Sequence, residues 1–123
     1  MFDLYELISN IRKRPAMYLG EPSISNLRTF LAGYCFARRQ MGIPQTAQER
    51  HFSQFQSWIQ QKFNISQNLT WDVIIIYYKS GCYEQVALDD FFQLFDEFIQ
   101  TENIAELKSN PTNNHKVVSR FQE

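Results

Sequence analysis

Thr70-Trp71-Asp72-Val73-Ile74-Ile75-Ile76-Tyr77-Tyr78 decides the fold class of this 123-residue chain. Its β-branched run favours a strand by intrinsic propensity. Three features favour a helix. Thr70 suits an N-cap; Trp71, Ile74, Ile75 and Tyr78 recur at helical spacing; Ser80-Gly81 closes the segment as helix C-termini close. A lone strand would need a partner, and no second strand pattern occurs. The stretch reads as a helix, and the chain therefore as all-α.

The pattern after it is stronger. Tyr83 to Thr101 places Leu88, Phe91, Phe92, Phe95, Phe98 and Ile99 on one broad apolar face. Asp89, Gln93, Asp96, Glu97 and Gln100 fall on the other. This helix is expected to supply the centre of the core, each buried aromatic contributing about 2–3 kcal/mol. Beyond Ile104 and Leu107, Ser109-Asn110-Pro111-Thr112-Asn113-Asn114 has the composition of a flexible tail.

Before the deciding stretch, Phe52, Phe55, Ile59 and Phe63 mark one helix from Ala47 to Asn64, preceded by a linker over 42–49. Ser23 or Ser25 caps an earlier helix whose stripe is Ile24, Leu27, Leu31, Tyr34 and Cys35; Gly42 and Pro44 end it. The first helix, Phe2 to Lys13, buries Leu4, Leu7, Ile8 and Ile11. Its acids lie near the N-terminus and Arg12 and Lys13 near the C-terminus, as the helix dipole favours. Pro15 stops it, and residues 14–22 form a turn in which Pro15, Tyr18 and Gly20 are structural. Tyr18 and Met17 are expected to tuck under the next helix. The whole is an all-α single-domain bundle of about five helices with an aromatic core, spanning 1–108, with a flexible tail over 109–123.

Hydrophobic residues make up 44% of the chain and aromatic residues 15%, which suits one domain with an aromatic core. The net charge of −1 argues against a generic nucleic-acid binder. Its distribution is uneven: residues 80–107 carry seven acids and no Lys or Arg, while the rest is mildly basic. Cys35 and Cys82 do not make a disulfide framework, no signal peptide is visible, and the apolar run from Val73 to Tyr78 is too short to span a bilayer. A cytoplasmic protein with free thiols is expected.

No catalytic constellation is legible, so no enzyme activity, cofactor or metal is expected. His51 and His115 lack partners at metal-ligand spacing. Cys35 lies on an apolar stripe, and Cys82 follows Gly81 with no basic neighbour to activate it. Asp89-Asp90 and Asp96-Glu97 are paired acids, but adjacent helical residues point about 100° apart, so each pair diverges. These four read either as a solvated face or as a docking face for a basic partner. Arg12-Lys13-Arg14 fits dipole compensation.

Arg12-Lys13-Arg14-Pro15-Ala16-Met17-Tyr18-Leu19-Gly20 resembles an R-K-R-P-G-M-Y-I-G segment in the ATPase domain of the DNA gyrase B subunit. The chain departs from that family where its chemistry lies. The helix after it, Asn26 to Gln40, has no acid; no glycine-rich loop follows; Ala16 replaces a glycine. The likeness implies a shared helix–turn–helix solution and no ATP site.

A second resemblance runs over residues 4–99. R-P-x-M-Y-L-G is followed by Ser25-Asn26-Leu27-Arg28-Thr29-Phe30-Leu31-Ala32-Gly33-Tyr34, an aromatic helix around Phe55 and Trp58, the helix at Trp71, and Ala87-Leu88-Asp89-Asp90-Phe91-Phe92-Gln93-Leu94-Phe95-Asp96-Glu97-Phe98. This is similar to small bacterial proteins associated with polymorphic-toxin loci, candidate immunity proteins. It implies a non-enzymatic domain that binds and neutralises a cognate toxin. An acidic face of Asp89, Asp90, Asp96 and Glu97 would steer a basic toxin domain, with Trp58 or Tyr77 as anchors. The alternatives are a helical nucleic-acid or nucleotide-binding module using Arg12, Arg14, Arg28, Arg38 and Arg39, or a subunit of a larger assembly.

Overall fold

The structure, a computed structural model, describes residues 3–109 and the side chains of 3–101. Among them are seven α-helices and no strand: α1 (Leu4–Lys13), α2 (Pro15–Leu19), α3 (Ile24–Gln40), α4 (Ala47–Phe52), α5 (Phe55–Lys62), α6 (Trp71–Tyr78) and α7 (Glu84–Ser109). The deciding stretch is helical. Ile74 and Ile75 are fully buried in α6, and Trp71 nearly so. Thr70 holds the N-cap position without a side-chain cap bond. The acid of the first turn, Asp72, is buried instead and faces Arg28 of α3, with Nε 3.4 Å from Oδ1.

Two differences raise the helix count from the five expected. Residues 14–22 hold a short helix, α2, with Pro15 at its first turn, where a missing N–H costs nothing. Gly20 closes it at φ 73, donating its N–H to the Ala16 carbonyl. Tyr18 is half-buried edge-on to Phe30, ring centroids 6.1 Å apart, as expected, but Met17 is exposed. The helix expected over 47–64 is broken at Ser53–Gln54 into α4 and α5. The Ser53 hydroxyl donates to the Arg50 carbonyl at 2.6 Å, a local bond that competes with the helical ladder. Phe52 and Phe55 stack across the break, centroids 5.3 Å apart.

Capping fixes the other ends. Asp3 accepts from the Leu4 N–H and Ser23 from the Asn26 N–H. Thr46 and Glu49 form a reciprocal capping box on α4. Gly42, at φ 73, lets the chain leave α3.

The chain divides at the Gln93–Leu94 step into two compact units, and the domain expected over 1–108 spans both. Helix α7 itself continues through the step without a break. In the first unit Phe55 is wholly buried at the centre of a ring cluster. Its centroid lies 5.9 Å from Trp58 and 5.5 Å from both Trp71 and Phe91. Trp71 and Phe91 are 5.1 Å apart, and Phe91 meets Phe92 edge-on at 5.3 Å. Such offset and edge-on pairs add about 0.5–1.5 kcal/mol each beyond the area they bury. In the second unit Leu94, Phe95 and Phe98 are buried, while Asp96, Glu97 and Gln100 are exposed. The expected tail lies, apart from Ser109, outside the described residues.

Candidate functional site

The turn between α6 and α7 is specified by several backbone bonds and a side-chain tie. The N–H groups of Lys79 and Ser80 both donate to the Ile75 carbonyl, and that of Cys82 to Ile76. Gly81 and Cys82 take φ of 63 and 72, two consecutive left-handed residues that reverse the chain. Ser80 is buried, and its hydroxyl donates to Asp90 Oδ2 at 2.7 Å, tying the turn to the second turn of α7.

This framework presents four large apolar side chains to solvent. Tyr77 is 62% exposed, Tyr78 51%, Tyr83 69% and Val86 48%. Exposed Glu84 and Asp89 stand beside them, Asp89 three residues after Val86 and so on the same side of α7. The corner thus combines tyrosine rings, each with an apolar body and a hydroxyl, with two free-standing carboxylates. Tyrosine is among the residues enriched in protein-binding hot spots. Among the described residues, no three His, Cys, Asp or Glu side chains converge as a metal site would require.

The expected docking residues differ in exposure. Asp89 is exposed in the first unit; Asp90, half-buried, is spent on Ser80; Asp96 and Glu97 are exposed in the second unit. Of the expected anchors, Tyr77 is exposed, but Trp58 is half-buried, stacked on Phe55 with Lys62 over its ring. Tyr78, placed on the apolar stripe of its helix by spacing, is 51% exposed and is the last residue of α6. Tyr83 and Val86 went unread as surface residues. The signal was present in Ser80-Gly81, which placed Tyr83 at a helix start, ahead of the apolar face that begins at Ala87 and Leu88.

The arginines are partly engaged within the fold. Arg28 faces Asp72, Arg12 lies over the Phe92 ring at 5.3 Å, and Arg38 pairs with Glu49, Nε to Oε2 2.5 Å. Nε and Oε2 face each other without hydrogen-bond alignment, so the attraction is chiefly Coulombic. Cys35 sits near this pair, half-buried. Burial and then the Glu49 charge push its thiol up, against a smaller downward pull from Arg39 and Arg38. His51 packs with Tyr5, whose hydroxyl is 2.5 Å from Nδ1. Cys82 is exposed.

No helix among the described residues is long and apolar enough to cross a membrane. No family model, curated protein or solved structure matches the chain.

Proposed function

We propose that this chain is a non-enzymatic binding protein whose α6–α7 corner docks a basic protein partner. One observation carries the reading: Tyr77 and Tyr78 at the end of α6, Tyr83 in the turn and Val86 at the start of α7 are all exposed around a turn held by backbone bonds and by Ser80–Asp90. Exposed tyrosines on a pre-shaped framework lose little conformational freedom on binding, which is where affinity is usually lost. Glu84 and Asp89 select for positive charge in the partner and raise its association rate. Asp96 and Glu97 extend the acidic character of α7 within the second unit. The likeness to candidate immunity proteins makes a toxin domain the partner of choice, neutralised by occlusion of its own site. A cytoplasmic, bacterial setting belongs to the same proposal.

The test is site-specific photo-crosslinking in the source cells, with the photoreactive residue at Tyr77 or Tyr83, and at Gln61 as a control. One protein, rich in Lys and Arg, should be captured from positions 77 and 83 and not from 61. Co-expression of the chain should then relieve that protein's toxicity, and the Tyr77→Ala/Tyr83→Ala double variant should not. Capture of nucleic acid, or equal capture from all three positions, would end the reading.

A further inference from the structure

A cavity of about 330 Å³ lies between α3 and α4, remote in sequence from the tyrosine corner. Helix α3 contributes Cys35, Arg38 and Arg39, at i, i+3 and i+4 on one face, and α4 contributes Glu49 and Phe52 together with Ser53 at its C-cap. Leu4, Ile43 and Gln45 complete the lining. The gap has a physical origin. Cys35 and Ser53 are small, the Ser53 hydroxyl is turned back to Arg50, and the long side chains Arg38 and Glu49 are drawn to each other.

The lining is divided in character. Leu4, Ile43 and Phe52 offer an apolar wall. The rest of the lining carries two arginines, Arg38 and Arg39, and one carboxylate, Glu49, which is paired with Arg38, leaving one positive charge in excess. Glu49 is committed twice, through Oε1 to the Thr46 N–H and through Oε2 to Arg38. Arg38 uses Nε on Glu49 and lays its guanidinium over the Tyr34 ring, 5.6 Å from the centroid, which leaves the in-plane donors of its terminal nitrogens, and those of exposed Arg39, open to a ligand. Donors with unspent capacity beside an apolar wall call for a ligand that is anionic at one end and apolar at the other. The volume is at the small end of ligand sites.

We infer that this cavity binds a small organic monoanion, a short-chain carboxylate, with its carboxylate on Arg39 and the terminal nitrogens of Arg38 and its hydrocarbon body against Leu4, Ile43 and Phe52. The Cys35 thiol, kept neutral by burial, is a packing neighbour of the ligand and not a nucleophile. The site stands apart from the proposed protein-docking corner, and neither depends on the other.

The experiment is a backbone amide NMR titration of the full chain with sodium hexanoate, and in parallel with hexanamide, its uncharged analogue. Saturable shifts should centre on Cys35, Arg39, Ile43 and Ser53. Hexanamide should bind about tenfold more weakly, the usual scale of one charge-assisted bond. Arg39 is exposed, so Arg39→Gln should fold normally and weaken hexanoate about tenfold while leaving hexanamide unchanged. Ser53→Leu, which fills the gap, should abolish binding of both. Equal affinity for the two probes, an unchanged affinity in Arg39→Gln, or shifts that centre elsewhere or fail to saturate would overturn the assignment.

Discussion

Helices α5 and α6 are neighbours, yet one aromatic side chain from each, Phe55 and Tyr77, meets an opposite fate. Phe55 of α5 has no exposed surface and touches rings from α4, α6 and α7. Tyr77 of α6 is 62% exposed, one residue from the end of its helix. Both are large rings in short helices of similar length. What separates them is phase and position: Phe55 is on the inward stripe and is covered from several sides, while Tyr77 points off that stripe where the helix stops. Aromatic content alone therefore does not measure a core. The phenolic oxygens of the corner would demand partners if buried, whereas the Phe rings demand none.

The sharpest way to break this contrast is truncation. Phe55→Ala leaves a void amid four rings and should cost about 3–5 kcal/mol of unfolding free energy in urea titration. Tyr77→Ala should change stability by no more than about 0.5 kcal/mol. If Tyr77→Ala cost as much as Phe55→Ala, the corner would be part of the fold and the binding proposal would lose its carrier.

The contrast extends to acids. Glu49 is 8% exposed and faces Arg38, whereas Glu84 and Asp89 stand in solvent. Glu49→Gln keeps an acceptor for the Thr46 N–H but leaves Arg38 without its counter-charge. Removing one partner of a buried pair should cost about 2–4 kcal/mol here. The same substitution has a second readout. Glu49 raises the Cys35 thiol while Arg39 and Arg38 lower it, so losing Glu49 moves the titration down. Alkylation of Cys35 followed against pH should show its midpoint at lower pH than in the parent protein. The sign on stability follows from linkage. The folded thiol titrates above the ordinary value of 9.0, so the unfolded chain releases that proton first. Stability is then complete below that value and declines as pH rises through the folded one. Cys35→Ser should flatten that alkaline decline, and an unflattened decline would assign it to other groups.

Periodicity carried most of the fold. The stripe Leu4, Leu7, Ile8 and Ile11 is buried as spaced, and the ambiguous β-branched run is a helix because its neighbours Ile74 and Ile75 share one buried face. What periodicity did not carry was local polar chemistry. The break at Ser53 depends on one hydroxyl bonding one carbonyl, and a pattern of apolar residues passes through it unchanged. The candidate corner was only half legible for a related reason. Tyr77 could be suspected, but Tyr78 fits an apolar stripe equally well, and only the end of α6 decides its exposure. The cavity was not legible at all, since Arg38 and Glu49 come from different helices and nothing in their spacing announces that they meet.

The smallest expected effect separates two adjacent acids that the sequence treats alike. Asp89 and Asp90 differ by about 100° of helical phase, and that rotation gives them different work. Asp90 accepts the hydroxyl of buried Ser80 and so holds the turn that sets out the tyrosines. Asp90→Ala leaves that hydroxyl without its acceptor and should cost about 1 kcal/mol in urea titration, loosening the corner as seen by faster amide exchange at Gly81 to Tyr83. Asp89→Ala touches no such bond and should leave both stability and exchange unchanged within error, while slowing association with a basic partner in a salt-dependent way. Equal stability losses in the two variants would mean that Asp89 also supports the turn. An exchange pattern unmoved by Asp90→Ala would mean that the backbone bonds from Ile75 and Ile76 hold the corner unaided, and its rigidity would then be a property of the α6 C-terminus alone.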